Sequence, residues 1–351
     1  MADTVLGIDF GSSGLKLAVA RVHKGATTIT DQVFIPLDPG LIVKGAPTAE
    51  AVPDVAAALK AALAERKITA RDAIVGLGSV NDVFVDRSTT PYHPPKDYLR
   101  AVSFDIAADT SLLLGAPDGV LLDAVVFEDF LDPDGARKVD ALLCGTRPEL
   151  VDRLAAIATK AGLRVIGADV SGLAVLRALP LVPRPVDHLD VIVDVGQDVL
   201  TVLIHENGRP YSISLAEDAG GARADQQIGR AIGNEHQDAI TRAKTVIGRD
   251  KRVRDAIQDY AYLTADKVRA AIQAYLDRRR VPVQIAGLTL LGGGALLPGL
   301  RDAIETVLQV PTIIASDFDP GIDGSPRRYE DVSNLSADFT VAVGLTMGAA
   351  A

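Results

Sequence analysis

A turn of small residues near the start of the chain lies between two strand-like apolar runs, with an aspartate before it and a lysine after it. Asp9 precedes Gly11, Ser12 and Ser13, and Lys16 follows in the returning run. Such a turn leaves backbone N–H groups open to an anion, and hydroxyls and an ammonium stand beside them. The stretch therefore suits a phosphate chain, although on its own it is more often an ordinary hairpin.

The same arrangement recurs in the second half of the chain. Residues 190–218 repeat the hydrophobic pattern of residues 4–32, in which an apolar strand ends in Asp-x-Gly and a β-rich return follows. An internal duplication explains this better than a chance likeness of two hairpins. If the two hairpins face each other, Asp9 and Asp194 line one cleft, where separated carboxylates suit a hydrated Mg²⁺.

A third glycine-rich turn lies near the end of the chain, in "LLGGGALLPGL". Gly292, Gly293 and Gly294 follow a strand-like run and precede a helical pattern. A turn without side chains lets the backbone approach an adenine or a phosphate, and it offers a helix N-terminus. The stretch matches neither the GxGxxG dinucleotide fingerprint nor a P-loop, because no GK[ST] follows it.

Bulk composition excludes several classes of protein. The 351 residues exceed the usual size of a single core, which predicts two or more domains. A formal net charge of −10 argues against broad contact with nucleic acid. The one cysteine, Cys144, cannot form an internal disulfide and points to a reducing cytoplasm. We find no signal peptide and no apolar stretch long enough to span a bilayer, and therefore expect no transmembrane segment.

The elements between the two hairpins change in character near residue 80. Residues 51–66 have helical apolar spacing, and a strand is expected after them. From residue 80 to about residue 163, the patterns predict strand, helix, strand, strand and helix. A block of this size reads as a small α+β module inserted into a larger α/β fold.

Taken in order, four motifs resemble the superfamily of actin, heat-shock chaperones and sugar kinases: "GIDFGSSGLKLAV", "GADVSGLAVLRAL", "VDVGQDVLTVLI" and "LLGGGALLPGL". They look like its phosphate-1, connect-1, phosphate-2 and adenosine segments. The place of the inserted module resembles the FtsA and PilM branch, and within it the PilM family of type IV pilus assembly. The resemblance covers nearly the whole chain, with "FTVAVGLTMG" near its end.

The resemblance implies a duplicated, ribonuclease H-like actin fold with a nucleotide cleft between two lobes. The implied subdomains are 1A (1–80, 164–185 and 337–351), the inserted 1C-type module (81–163), 2A (186–245 and 283–336) and the helical 2B (246–282).

The resemblance also implies an ATP and Mg²⁺ site, with Asp9 and Asp194 on the metal and Asp169 and Asp194 beside the γ-phosphate as the catalytic pair. The remaining implied nucleotide contacts are Gly11, Ser12, Ser13, Lys16, Gly196, Thr201, Gly220, Gly221, Lys244, Gly292, Gly293 and Gly294. Lys244 would lie near the ribose, and Gly293 and Gly294 would pack against the adenosine.

Two departures from the superfamily pattern bear on this site. Thr241 stands where ATP-binding relatives usually carry a glutamate for the ribose hydroxyls, and Gln197 and Asp198 replace small residues in the second hairpin. Both changes predict weaker nucleotide binding. No residue is identified that would position a water for attack, so we expect at most a slow ATPase.

The resemblance implies a cytoplasmic scaffold, attached to the inner membrane through the cytoplasmic N-terminal tail of a PilN-like protein. We expect that tail in a groove with the Pro-rich segment and helix of residues 89–107 as one wall and the strand "LLDAVVFEDF" as an open edge. An FtsA-like filament-forming protein is the first alternative, although the chain ends at "GLTMGAAA" without an amphipathic anchor. A small-molecule kinase is the second, although no additional general base is found. Self-association is left open.

Overall fold

The computed structural model describes residues 3–23, 26–103, 119–245, 250–277, 283–315 and 337–349. The strands are β1 (Asp3–Gly11), β2 (Gly14–His23), β3 (Ala26–Pro36), β4 (Ile42–Val43), β5 (Ala46–Pro47), β6 (Asp72–Leu77), β7 (Val83–Pro91), β8 (Leu121–Leu131), β9 (Arg137–Thr146), β10 (Arg164–Val170), β11 (His188–Val195), β12 (Val199–Glu206), β13 (Arg209–Glu217), β14 (Gln284–Leu291) and β15 (Thr312–Ile314).

The helices are α1 (Val52–Glu65), α2 (95–103), α3 (Pro148–Lys160), α4 (Ser171–Ala178), α5 (Gly221–Ile232), α6 (Gln237–Thr245), α7 (Lys251–Leu276), α8 (Leu300–Leu308) and α9 (Thr340–Gly348). Two short 3₁₀ helices cover Gly293–Leu296 and Ala337–Phe339. None of the helices in the described ranges combines the length and the apolar character needed to cross a bilayer.

Two sheets with the same topology form the two lobes. The first sheet has the order β10-β6-β1-β2-β3 and the second has β15-β14-β11-β12-β13, so each strand of one has a counterpart in the other. In the first sheet, β1 pairs antiparallel with β2 and parallel with β6. In the second sheet, β11 pairs in the same way with β12 and β14. The predicted internal duplication is confirmed, and the register makes Asp9 and Asp194 equivalent.

The first lobe has helices on both faces of its sheet. α1 and α3 cover one face, where Leu59, Leu150 and Leu154 are buried against the strands. α9 covers the other face so closely that a β-carbon on Gly7 would lie 2.0 Å from the Ala342 carbonyl oxygen. Glycine is therefore required there.

The second lobe packs α7 and α8 against its sheet, while α5 and α6 join the start of α7 in a smaller apolar cluster. α4 lies between the lobes: a β-carbon on Gly172 would lie 3.2 Å from Ile213 of β13. Ile192, Leu203 and Ile213 of the second sheet belong to the same buried cluster as the first lobe. The two lobes are therefore joined by apolar packing at their base.

The inserted module consists of the three-stranded sheet β7-β9-β8 with α2 on one face, and the predicted strand–helix–strand–strand–helix order is confirmed. Tyr98 and Val102 of α2 are buried on this sheet, and the Tyr98 hydroxyl lies 3.0 Å from that of Thr90. α3, the last element of the pattern, packs into the core of the first lobe. Among the described strands, β8 lies at an edge of this sheet.

Candidate functional sites

A carboxylate cluster forms where β1 and β11 end. Asp9 and Asp194 are the last polar residues of these strands, and Lys16 stands opposite Asp9 on β2, with its Nζ 3.7 Å from the Asp9 Oδ2. Asp338, on the 3₁₀ helix before α9, also acts electrostatically on Lys16 and Asp194. The structure thus brings together the predicted Asp9, Lys16 and Asp194 and adds Asp338, which sequence reasoning missed.

The triple glycine packs directly on this cluster. Gly292 has φ +81°, and a β-carbon there would lie 2.3 Å from the Asp194 Oδ1. One on Gly294 would lie 2.4 Å from the Val195 Cγ1, and one on Gly293 would lie 3.2 Å from the Asp338 Oδ1. This turn has no room for side chains because its backbone packs against the carboxylates of Asp194 and Asp338 and against the end of β11.

The cluster has more negative than positive charge. The pKa of Asp194 is raised to about 7, mainly by burial. The negative charges of Asp9 and Asp338 add to this shift, and the positive charge of Lys16 opposes it. Burial also raises the pKa of Asp9, and Lys16 offsets part of that shift. Burial lowers the pKa of Lys16, but the three carboxylates outweigh it, so its pKa is raised. The Asp338 Oδ1 is buried without a hydrogen-bond partner.

These observations fit a bound cation with an anionic ligand. A cation would hold Asp9 and Asp194 ionised and would offset the excess charge. Among the described residues, no three His, Cys, Asp or Glu side chains converge closely enough to chelate a metal by themselves. Mg²⁺ bound through one or two carboxylates, waters and phosphate oxygens needs no such group.

The raised pKa of Asp194 predicts how stability changes with pH without nucleotide. An ordinary aspartate in the unfolded chain ionises near pH 3.8, whereas folded Asp194 keeps its proton up to about pH 7. Between these values the folded state binds more protons, so rising pH lowers the free energy of unfolding. Relative to Asp194→Asn, the melting temperature of the wild type should fall as the pH rises from 5 to 7, and the difference should then stay level up to pH 8. A constant difference would contradict the shifted pKa.

The two predicted phosphate turns differ in what they contact. Ser12 and Ser13 form the two-residue turn between β1 and β2, with Ser13 exposed. In the second hairpin, the Gly196 N–H donates to the Val199 carbonyl at 3.0 Å, which tightens the turn. Thr201 pairs with Asp194 across the strands, as Lys16 does with Asp9. Both turns lie beside the carboxylate cluster.

Gly220 and Gly221 support the second turn from behind. A β-carbon on Gly220 would lie 2.4 Å from the Gln197 carbonyl oxygen, and the Gly221 N–H donates to the Gly196 carbonyl at 2.8 Å. The predicted glycine pair therefore packs α5 against the turn. This close packing explains both glycines.

Asp198, predicted to add negative charge beside the phosphates, contacts the other lobe. Its Oδ2 accepts a hydrogen bond from the Lys44 backbone N–H at 3.1 Å. The Lys44 Nζ in turn lies 2.6 Å from the Glu217 Oε2. The turn between β4 and β5 therefore reaches across to the second lobe and partly balances its acidic residues.

Lys244, predicted near the ribose, forms an ion pair with Asp225 of α5, a buried acid that sequence reasoning missed. Gln197 Nε2 also donates to Asp225 at 3.2 Å. Asp225 thus joins the second turn to α6. Thr241, one turn before Lys244, is exposed.

Asp169 is not part of the carboxylate cluster. It lies on β10, the edge strand two positions from β1, and forms an ion pair with Arg177 of α4. Arg177 Nε also donates to the Gly344 carbonyl at 3.3 Å. The prediction that Asp169 stands beside the γ-phosphate receives no support from this placement, because the residue faces the inserted module instead.

A groove of about 300 Å³ separates the module from the first lobe. Its module wall is β8 with the end of β9, and its other wall is β10, α4 and Val151 of α3. Leu121 and Val125 of β8 line it and are 49% and 44% exposed. Residues 89–107 were predicted to form one wall of this groove. The prediction is wrong for residues 89–103, because α2 packs on the sheet of its own module. Residues 104–107 lie outside the described residues.

Three charged side chains accompany the apolar lining of this groove, namely Asp123, Asp169 and Arg177. Burial raises the pKa of the Cys144 thiol to about 12, and the carboxylates of Asp169 and Asp123 add to the shift. Cys144 is therefore a neutral lining residue. The groove combines an apolar floor with the edge of β8 that no described strand pairs with, which suits an extended peptide.

Comparison with known proteins agrees with this architecture. The family model described as "Type IV pilus assembly protein PilM" matches residues 7–350. A solved PilM–PilN type IV pilus biogenesis complex is similar with a TM-score of 0.79 and 22% identity, over 99% of this chain and 98% of that one. The ethanolamine utilization protein EutJ from Carboxydothermus hydrogenoformans is similar with a TM-score of 0.56 and 12% identity, over 99% and 89% of the two chains. The predicted duplicated actin-like fold is confirmed.

Proposed function

Because the chain belongs to the family of type IV pilus assembly proteins PilM, we propose that it is a nucleotide-binding scaffold that holds the cytoplasmic N-terminal tail of a PilN-like inner-membrane protein. The observation that carries this proposal is the apolar groove between β8 and the first lobe. The similar solved complex contains a PilN partner. Family membership favours this function over an FtsA-like filament or a small-molecule kinase.

The groove suits a short extended segment. β8 has no strand partner on its outer side within the described residues, so an added strand can use its free N–H and C=O groups. Leu121 and Val125 offer apolar contacts to alternate side chains of that segment. Glu128 and Asp129 lie farther along β8 and discourage pairing with an unrelated edge there. The tail would hold the scaffold at the membrane surface.

The proposed tail site predicts opposite outcomes for two neighbouring substitutions. Val125 lines the groove, whereas Val126 is 52% exposed and outside its lining. Val125→Asp should weaken binding of a labelled PilN tail peptide by about 30-fold or more, because a carboxylate is then buried without a partner. Val126→Asp is the matched control and should bind within about twofold of wild type. Equal effects of both variants in fluorescence anisotropy would contradict the groove assignment.

We propose ATP with Mg²⁺ as the ligand of the carboxylate cluster. Asp9 and Asp194 would hold the hydrated metal, and Lys16 with the Ser12–Ser13 turn would hold phosphate oxygens. Gly292–Gly294 would lie against the adenosine. Bound Mg²⁺ supplies charge neutralisation for the phosphates. Asp338 keeps Lys16 charged, and Asp225 orients Lys244. Because no described residue is identified as a base for water, any turnover is expected to be slow.

A further inference from the structure

The end of the first lobe at which β6 and β10 begin carries a group of cationic side chains, called here the basic end. α1 leads into β6 and α3 leads into β10, and the two strands are parallel neighbours. Residues 60–72 and 160–164 contain six basic and two acidic residues, in a chain with a net charge of −10. The six basic residues are all exposed: Lys60, Arg66, Lys67, Arg71, Lys160 and Arg164.

Two matching turns bring these side chains to one place. Lys67 reverses the chain after α1 with φ +54°, and Gly162 does the same after α3 with φ +87°. The segments that follow are in contact, because the Arg164 N–H donates to the Arg71 carbonyl at 2.6 Å. The basic residues of both turns therefore lie together on one end of the lobe.

Most of this positive charge is not balanced by neighbouring carboxylates. Arg164 is held by Asp72, with Nε–Oδ1 and Nη2–Oδ2 distances of 2.7 and 2.8 Å. Within the described part of the chain, the other five basic residues form no ion pair. A cation in the last turn of a helix stabilises the helix dipole, which accounts for Lys160 of α3. Arg71 precedes a strand, where no such dipole attracts it.

We propose that the basic end docks on the anionic phospholipid headgroups of a membrane surface. Each lysine or arginine held close to an anionic leaflet strengthens binding roughly fivefold, and the attraction extends over about one Debye length, ~8 Å at physiological salt. Arginine adds bidentate hydrogen bonds to phosphate oxygens. The excess of basic over acidic residues therefore gives a peripheral contact that is reversible and sensitive to salt.

This contact leaves the proposed tail groove free. β10 has Arg164 of the basic end at its start, and Asp169 and Val170 of the groove at its end. Its seven residues span about 20 Å. The lipid contact and the tail contact are thus separate attachments to one membrane, and two weak attachments hold a protein more firmly than either alone. The lipid contact goes beyond the proposed function and requires no tail.

Sedimentation of the full chain with vesicles, without any PilN peptide, tests the proposal. One vesicle is phosphatidylcholine alone, and the other has equal parts of phosphatidylglycerol and phosphatidylcholine. The wild type should bind the anionic vesicle at least about tenfold more strongly than the neutral one. Salt at about 1 M should remove the difference, because the Debye length falls to about 3 Å. Lys67→Gln combined with Arg71→Gln should weaken binding to the anionic vesicle about tenfold or more.

The matched control is Lys267→Gln combined with Arg301→Gln, which removes the same charge from exposed positions of the second lobe. It should bind within about twofold of wild type, and both double variants should keep the wild-type melting temperature. If the wild type binds the two vesicles equally, or if the two double variants bind alike, the proposal is wrong. If soluble polyglutamate binds and the vesicles do not, the partner is an acidic protein segment and the proposal is also wrong. None of these outcomes bears on the proposed tail site.

Discussion

Asp194→Asn is expected to abolish the stabilisation of the protein by Mg²⁺-ATP while raising its stability without nucleotide. The two effects have opposite signs for one reason. Ionised Asp194 is buried beside Asp9 and Asp338, which lowers the free energy of unfolding of the protein without ligand, and a bound cation removes this penalty. At an ATP concentration 100 times Kd, ligand binding adds about 2.7 kcal/mol to the wild type. A 100-fold weaker variant would gain only about 0.4 kcal/mol.

Thermal melts at pH 8, with and without Mg²⁺-ATP, measure both effects at once. Asp302→Asn is the matched control, since this exposed aspartate of α8 lies outside the cluster, and it should respond to nucleotide as wild type does. Asp9→Asn should behave like Asp194→Asn. If Asp194→Asn keeps the full shift in melting temperature on addition of Mg²⁺-ATP, this cluster is not the nucleotide site.

Excision of the module is expected to eliminate capture of the PilN tail and leave nucleotide binding largely intact. Val83 and Thr146 are paired across β7 and β9, and the Arg147 N–H donates to the Asp82 carbonyl at 3.0 Å. Residues 84–145 can therefore be replaced by Asn-Gly, which closes a two-residue hairpin between paired residues. α3 must be kept, because Leu150 and Leu154 belong to the core of the first lobe.

A pulldown with immobilised tail peptide measures how much of the shortened chain is captured. A rise in its melting temperature on addition of Mg²⁺-ATP shows that the shortened chain is folded. The control is the full chain with the same Asn-Gly pair at positions 133–134, in the turn between β8 and β9, which should capture the tail normally. Capture by the excised chain at the parental level would rule out the module as a wall of the tail site.

Several features of the site follow from local pattern. The two Asp-x-Gly hairpins predicted the equivalent positions of Asp9 and Asp194, because an antiparallel hairpin fixes its own register. The triple glycine predicted a strand-to-helix turn without side chains that a ligand could approach, and the structure adds that Gly292 lies directly on Asp194. The turns themselves depend on neighbours within a few residues of the chain, whereas the contact of Gly292 with Asp194 is a tertiary one.

Other assignments needed the assembled fold. Asp169 lies on an edge strand beside Arg177, and no local pattern shows which end of a sheet an aspartate will face. Asp338 reaches the cluster from the far end of the chain and had no motif of its own. α2 was predicted as a wall of the groove, yet Tyr98 and Val102 are buried on the nearest apolar surface, the sheet of their own module.

The sequence by itself determined the duplicated hairpin pattern, the inserted module and the equivalence of Asp9 and Asp194, because strand periodicity and turn chemistry are local properties. Only the tertiary structure decided that Asp338 joins them, that Asp140 is shared by Arg87 and Arg209, and that the tail groove lies between β8 and β10. These contacts join residues far apart in the chain, and their geometry is set by how the lobes and the module pack against one another.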